Sequence, residues 1–377
     1  MARSTQSELV SVVMSTYNHA DYVGAAIESV LGQSHENFEF LITDDGSSDG
    51  TVEVIKKYSD PRINYIGSGK NRGACAAINE LIKKTKGSHL CIINSDDMWR
   101  DKEKLLKQLE ILSTGKELGA CFGQANFIDE EGNDVVGEAV PQETTFNQDN
   151  KSRGGWLKDF FLNGNSLCHP TIMIRRECYE KIGLYNNIYR QLPDFDMWIR
   201  LVKNYDIHVS SEKLTDFRIL PGRNASSPTV ENSIRDLNEH YLIRKSFFEN
   251  INTIDLQEGF GQYFSSKAPK NSIQVEIETA LLYFIEEGKY SKIDKLIGLE
   301  KMEHLMMDRE KGRIMEHEYG IDASWFHKKS GEISSIFELM IYKPAAPRKH
   351  TISERIFQAF RSFDERGSKK KASRNPL

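Results

Sequence analysis

Five cysteines in 377 residues are too few and too scattered to staple a secreted fold. Cys75, Cys91, Cys121, Cys168 and Cys178 form no CxxC pair. Their odd count fits a reducing compartment, with the thiols acting as small core residues. No apolar run approaches the length of a membrane span, and no charged-then-apolar signal opens the chain. A cytoplasmic location is therefore expected, and the Asn224-Ala225-Ser226 sequon then carries no glycan. No internal repeat is visible. The common nucleotide fingerprints are missing too. Gly67-Ser68-Gly69-Lys70 fails as a P-loop, because Asn64 stands where the first Gly belongs and Asn71 follows the Lys. It fails as a dinucleotide loop because Arg72 takes the place of the last Gly, so it reads as a strand-to-helix turn. There is no Ser or Cys nucleophile elbow. A net charge of −5 gives no ground for expecting a nucleic-acid partner.

The chain does contain 39% hydrophobic and 28% charged residues, a balance that supports a packed core. The length suits one large α/β domain with an appendage, or two domains. Leu9 to Met14 is a short β-branched run of the kind that forms a buried strand. Three more strands are expected at 38–42, 63–66 and 90–93, with helical patterns between them. Strand, helix, strand, helix implies a mainly parallel sheet flanked by helices, with the strand C-termini and any ligand at one edge. The alternation loosens beyond about residue 115 and becomes mostly helical from about 230. We divide the chain into a catalytic domain, 1–228, a helical C-terminal region, 229–343, and a tail, 344–377.

Two acidic doublets fall at expected strand ends, Asp44-Asp45 after the second strand and Asp96-Asp97 after the fourth. Adjacent carboxylates repel, and a hard divalent cation such as Mg²⁺ or Mn²⁺ compensates them while bridging to phosphates. Each doublet alone also reads as turn chemistry, with Asp49 placed to cap a helix near Thr51. Together on one sheet edge they favour a site. Asp194 and Asp196 lie before a further helix, where one can cap and the other face the cleft as a general base. Trp198 is expected in the core rather than as a sugar platform.

Several spaced segments resemble glycosyltransferase family 2. They are Val10 to Asn18, Ala26 to Ser34, Asp44 to Thr51, Asn71-Arg72-Gly73 and Asn94-Ser95-Asp96-Asp97, in that order, within a similarity covering about 8 to 226. The resemblance implies an A-type nucleotide-sugar-binding α/β fold with a helical C-terminal extension. It implies that Ser15, Thr16, Tyr17, Asp45, Arg72, Ser95 and Asp96 bind the nucleotide, with Asp45 accepting the ring N–H of a uracil-like base. Asp96 and Asp97 match the metal and ribose carboxylates, Asp194 the catalytic base, and His169 the acceptor side. Arg218 to Ser226 resembles a loop that closes over the diphosphate. The chain departs from the family pattern at Asn94, where Asp is frequent, at Leu220, where a metal-binding His is frequent, and at Pro193, where Glu is frequent.

The implied activity is inverting, metal-assisted transfer of a sugar from a nucleotide diphosphate donor, a UDP-sugar, to a hydroxyl of a glycan or lipid-linked glycan in bacterial surface-polysaccharide synthesis. Two alternatives stay open. A non-catalytic binding protein accommodates Asn94 and Leu220, whereas a sugar nucleotidyltransferase lacks its glycine-rich first loop here. Finally, residues 348–377 hold nine Arg or Lys against three Asp or Glu, a net +6 that leaves −11 for the rest. Apolar Ile352, Ile356, Phe357, Phe360 and Phe363 at helical spacing precede Lys369-Lys370-Lys371. Such a tail reads either as a helix lying on an anionic membrane surface or as one packed on its own protein.

Overall fold

In the computed structural model, the apolar run near the N-terminus folds as β1 (Val10–Thr16), buried along almost its whole length. The structure describes residues 7–333 apart from 68, 136–140, 221, 223, 225–226, 228 and 266–268, and everything below concerns those residues. The alternation continues through α1 (Val23–Leu31), β2 (Phe38–Asp44), α2 (Thr51–Ile55), β3 (Ile63–Tyr65), α3 (Ala74–Lys84) and β4 (His89–Ile92). Helix α1 forms where Val23, Ala26, Ile27 and Val30 recur at three- and four-residue spacing and bury one face on the sheet. Helix α3 does the same with Ala77, Ile78, Leu81 and Ile82. The segment 67–73 between β3 and α3 is the expected strand-to-helix connection.

Next come β5 (Met98–Trp99), α4 (Lys104–Ser113), β6 (Leu118–Ile128), α5 (Pro141–Phe146), α6 (Arg153–Asn163), β7 (Met173–Arg175), α7 (Arg176–Ile182), α8 (Pro193–Val202) and β8 (Asp206–Arg218). The eight strands form one sheet in the order β3-β2-β1-β4-β7-β6-β8-β5. Strands β1 to β4 are mutually parallel, as the alternation predicts. The second half is mixed, because β7 runs antiparallel to β4 and β6, and β5 antiparallel to β8, while β6 and β8 are parallel. In register, Thr16 lies level with Asp44, so the first two strands end together. The expectations for α/β architecture and a helical C-terminal region both hold.

One internal feature has no sequence precedent. Lys104 is fully buried, with Nζ 2.7 Å from Gln108 Oε1 and 4.4 Å from the centre of the Trp99 ring. Gln108 Nε2 in turn donates to the carbonyls of Cys121 (3.0 Å) and Thr171 (2.8 Å). The pair ties β6 to the short turn that carries His169.

The C-terminal region consists of α9 (Val230–Lys245), α10 (Thr253–Phe260), α11 (Ser272–Leu282), α12 (Ser291–Met307), α13 (Arg309–Tyr319) and α14 (Ala323–Glu332). Thr229, Asn252, Asn271, Asp308 and Asp322 cap five of them with side-chain oxygens, each such cap contributing about 1 kcal/mol. Ile277, Met302, Leu305, Met315 and Ile321 give the region a small core of its own. It also packs on the sheet-bearing part. Phe161 of α6 meets Phe248 at 4.8 Å, Phe247 at 5.2 Å, Tyr283 at 5.7 Å and Phe260 at 5.8 Å between ring centres. The described residues thus belong to one compact unit, and the division at 228 falls between β8 and α9 within it. The expected tail, 344–377, lies outside the described residues. No described helix is long and apolar enough to cross a membrane.

Candidate active site

The first cluster sits where β1 and β2 end. Asp45 N donates to Thr16 O at 2.8 Å. Asp44 Oδ2 accepts from the N–H groups of Gly46 and Ser47 at 3.0 Å each, which is the turn role weighed for it from sequence. Asp49 Oδ1 accepts from Thr51 N at 3.1 Å, but it is not the cap expected for α2: the cap position is Gly50, one residue on. Asp45 accepts from two consecutive main-chain donors, Arg72 N at 2.9 Å and Gly73 N at 2.8 Å. It therefore pins the 69–73 loop to the end of β2, and each oxygen keeps a second lone pair for a ligand N–H. The loop comes so close that a Cβ on Gly46, whose φ is +88°, would lie 2.9 Å from Asn71 N. The Arg72 guanidinium pairs with Glu80 on α3. Tyr17 leaves 48% of its surface exposed beside this loop cluster, while the buried Thr16 hydroxyl finds no partner among the described residues.

The second cluster follows β4. Ser95 Oγ lies 2.7 Å from His19 Nδ1, joining the loops after β1 and β4. Asp97 is almost wholly buried. Its Oδ1 accepts from Arg218 N and its Oδ2 from Asn94 Nδ2, both at 2.8 Å. Burial, reinforced by neighbouring Asp96, pushes the Asp97 carboxyl well above the usual carboxylate range. Asp96 is also raised by burial, although His19 and Arg218 oppose the shift. Its Oδ2 accepts from Asn224 Nδ2 at 3.2 Å. Arg218 itself is buried at the end of β8, with Nε on the Asp96 carbonyl (2.9 Å) and Nη1 on the carbonyls of Asp129 (2.9 Å) and Glu130 (2.7 Å). Leu220 is buried, and its N–H is held by Asn224 Oδ1 at 2.6 Å.

Asp194 lies in the first turn of α8, behind Pro193, where unpaired N–H groups favour negative charge. It does not occupy the cap position, which is Leu192. Its Oδ1 accepts from Phe195 N at 2.8 Å and its Oδ2 from Asn165 Nδ2 at 2.7 Å. Burial is the larger influence and lifts this carboxyl to about 6, against the two hydrogen bonds that favour the ion. Asp196 instead pairs with Arg200 one turn on, at 2.6 Å. Trp198 is fully buried, as expected, and packs on Phe122 and His169. His169 Nε2 is 3.0 Å from Tyr185 Oη, and burial lowers the imidazole to about 4, so it is neutral at physiological pH. All five cysteines are free, four of them buried.

Two thiols report that the clusters converge. The Cys168 thiol is pushed well up by burial, with Asp97 and Asp194 both adding to the shift. The Cys75 thiol, two residues after the loop that Asp45 holds, is pushed to about 11 by burial, with Asp194 and Glu239 adding. Asp97 and Asp194 thus both lie near Cys168, and the end of the loop that Asp45 holds lies beside the segment leading into α8, where Cys75 Sγ is 3.7 Å from Tyr189 O. Sequence reasoning missed His19, Asn165, Asn224 and Glu239. Asn224 had a signal, since it lies in a loop the resemblance marks. Asn165 follows Gly164, a left-handed turn residue at φ +85°, but nothing local ties it to Asp194.

A model of glycosyl transferase family 2 matches residues 11–183. The Escherichia coli UDP-Glc:alpha-D-GlcNAc-diphosphoundecaprenol beta-1,3-glucosyltransferase WfaP is 35% identical over 227 residues, covering 56% of this chain and 83% of that protein. The putative teichuronic acid biosynthesis glycosyltransferase TuaG of Bacillus subtilis is 30% identical over 216 residues, covering 56% and 79%. Among solved structures, the mannosyltransferase PcManGT from Pyrobaculum calidifontis, in complex with GDP-Man and Mn²⁺, matches with a TM-score of 0.51. That match covers 85% of this chain and 83% of the other at 12% identity, a likeness of fold.

Proposed function

The chain belongs to glycosyltransferase family 2, and from that premise we propose that it moves glucose or a related sugar from a UDP donor to a lipid-linked glycan, with inversion. The donor and acceptor classes rest on relatives such as WfaP, whose name specifies UDP-Glc and a diphosphoundecaprenol-linked GlcNAc. The observation that carries the chemistry is the partly buried Asp194, held by Phe195 N and Asn165 with its carboxyl lifted to about 6. A base of that strength is ionised at neutral pH yet accepts a proton readily.

In this reading Asp194 takes the proton of the acceptor hydroxyl as that oxygen attacks the anomeric carbon. The bond from that carbon to the diphosphate oxygen breaks in the same displacement, and the nucleoside diphosphate leaves from the opposite face. No covalent enzyme intermediate forms. Asp45 and Tyr17 receive the base, Asp45 through the lone pairs its loop contacts leave free. Ser15, Thr16, Ser95 and Arg72 complete that side, Arg72 after release from Glu80.

A divalent cation fits this site only in part. No group of three His, Cys, Asp or Glu side chains that could hold a metal occurs among the described residues. Asp97 is only 1% exposed and accepts a hydrogen bond at each oxygen, whereas Asp96 is 9% exposed and no described residue donates to its second oxygen. We therefore assign Asp96 as the protein ligand and Asp97 as its buried support, with most ligands coming from the diphosphate and water. A bound Mg²⁺ or Mn²⁺ would stabilise charge on the leaving diphosphate as a Lewis acid.

A screen of nucleotide sugars by thermal stabilisation, with and without Mn²⁺, followed by transfer to a GlcNAc-diphospholipid, tests the proposal. UDP-Glc is expected to stabilise the protein and to be consumed. Binding without turnover on any acceptor would favour the non-catalytic alternative. Variants divide the labour further. Asp45→Ala should weaken UDP binding about tenfold with or without Mn²⁺, since it loses both a base contact and the loop anchor. Asp96→Asn should weaken it only when Mn²⁺ is present, and calorimetry showing the same metal dependence for both would refute the division. For the tail, we propose peripheral attachment to the inner face of an anionic membrane. Truncation after Pro347 should abolish salt-sensitive co-sedimentation with anionic vesicles, each basic residue there contributing about 1 kcal/mol.

A further inference from the structure

The strap leading into α8 gives three consecutive main-chain N–H groups to a single carboxylate from another part of the chain. Arg190 N donates to Glu239 Oε1, and Gln191 N and Leu192 N donate to Glu239 Oε2, each at 2.8 Å. Glu239 lies on α9 and is only 5% exposed. Among the described residues no Lys or Arg pairs with it, so the N–H groups and the N-terminal end of α8 compensate its charge. A buried carboxylate held this way fixes the course of 190–192. The next two residues are Pro193 and Asp194.

Helix α9 grips the same region at neighbouring points. Gln191 Nε2 donates to Asn232 Oδ1 at 3.2 Å. His240 packs on the Phe195 ring at 5.3 Å, so it touches the residue whose N–H holds Asp194 Oδ1. A Cβ placed on Gly164 would come within 3.5 Å of the same imidazole, beside Asn165, which holds Asp194 Oδ2. His240 of α9 thus touches Phe195 and the residue before Asn165, the two positions that supply the hydrogen bonds to Asp194.

We propose that Glu239 is the positioning residue for Asp194, through which the C-terminal helical region sets the geometry of the transfer site. The inference rests on the reading of Asp194 as the base. Glu239 touches no reacting atom. It acts by holding three backbone donors in place, and a carboxylate is needed because it accepts all three at once. Glutamine in its place offers one oxygen and turns an NH₂ group towards backbone N–H groups.

The test uses the full chain with Glu239→Gln, Glu239→Asp and Asp194→Asn, with kcat expressed per donor-binding site counted by calorimetry, so that loss of folded protein does not enter. Glu239→Gln is expected to lower kcat about 10- to 100-fold, consistent with a base held out of line. The donor Kd should stay within about twofold, because the hydrogen bonds that hold Asp45 and Asp96 come from Arg72, Gly73 and Asn224 and not from the strap. Glu239→Asp, which keeps the carboxylate, should regain part of the loss. Hydrogen exchange on the unmodified protein should find the amides of Gln191 and Leu192 protected, and this holds as a check even if a variant does not fold. Parent-level kcat in Glu239→Gln beside an inactive Asp194→Asn overturns the role of Glu239 and leaves the base standing. Freely exchanging amides in the parent overturn it as well. An active Asp194→Asn instead removes the base, and the positioning role goes with it.

Discussion

Asp194→Asn should cut sugar transfer by about 10²- to 10⁴-fold while leaving the donor Kd nearly unchanged. An amide keeps the size of the carboxylate and can still accept from Phe195 N, so the first turn of α8 need not move. What disappears is the basic oxygen that takes the acceptor proton. The nucleotide side stays intact, because Asp45, Ser95 and Asp96 sit in loops after β2 and β4 and make no hydrogen bond to Asp194. The pH profile of the parent carries the same signature. With its carboxyl lifted to about 6, Asp194 is protonated and idle below that pH and ionised above it. The rate should therefore fall about tenfold per pH unit on the acid side of 6 and level off towards neutrality. The shift also has a sign for stability. The folded state holds this proton to higher pH than the unfolded chain does, so the contribution of Asp194 to folding weakens as pH rises from about 4 to 6. Activity and this stability term thus run in opposite directions across the same window. A parent-like rate for the Asn variant, measured with saturating donor and acceptor, would remove Asp194 from the chemistry.

The parallel half of the sheet was open to reading because each strand and helix there is written locally. Val10 to Met14 is β-branched and continuous, Ala26, Ile27 and Val30 keep helical spacing, and Asp44 to Gly50 is turn chemistry with its own short-range hydrogen bonds. The mixed half was not open in the same way. Strand β7 spans three residues and β5 two, and pairing with β4, β6 and β8 makes them strands more than any pattern of their own. The site divides similarly. The doublets could be found because two carboxylates side by side are costly anywhere without compensation. Glu239 could not, because its meaning lies in three N–H groups almost fifty residues earlier, and on its own it is one acid among many on a polar helix. His19 and Asn165 are likewise single polar residues whose partners, Ser95 and Asp194, are distant in sequence. Lys104 is the sharpest case. Its pattern suits a solvated helix start, yet it is buried over Trp99 with Gln108 as its partner. Tertiary contacts decided these positions, and no window of the sequence contains them.

Breaking the ion pair between Arg244 and Asp294 should destabilise the protein by about 3–5 kcal/mol. Arg244 has no exposed surface, and Asp294 almost none. The guanidinium meets the carboxylate through two parallel bonds of 2.6 Å, Nε to Oδ1 and Nη2 to Oδ2, while Nη2 also reaches the Phe161 carbonyl at 2.6 Å. Its plane lies over the Phe161 and Tyr290 rings, at 4.6 Å and 5.3 Å from their centres. This arrangement joins α9 to α12 and to the end of α6, and so fixes the helix that carries Glu239. Burial raises the Asp294 carboxyl, against the pull of Arg244. Removing the acid by Asp294→Ala leaves a guanidinium in the interior with, among the described residues, one carbonyl, that of Phe161, to accept from it, and a buried cation has no cheap neutral form. Removing both charges is a different matter. Arg244→Met with Asp294→Leu eliminates the desolvation cost of both ions, and packing against Phe161 and Tyr290 can replace part of what is lost. The double variant should accordingly be more stable than either single one, with a coupling of about 2–3 kcal/mol in a urea-unfolding cycle. Strictly additive losses would mean that the two side chains contribute separately, as packing rather than as a pair. If the double variant is as stable as the parent yet slower per donor-binding site, the ion pair is holding α9 in register for Glu239 rather than holding the fold together.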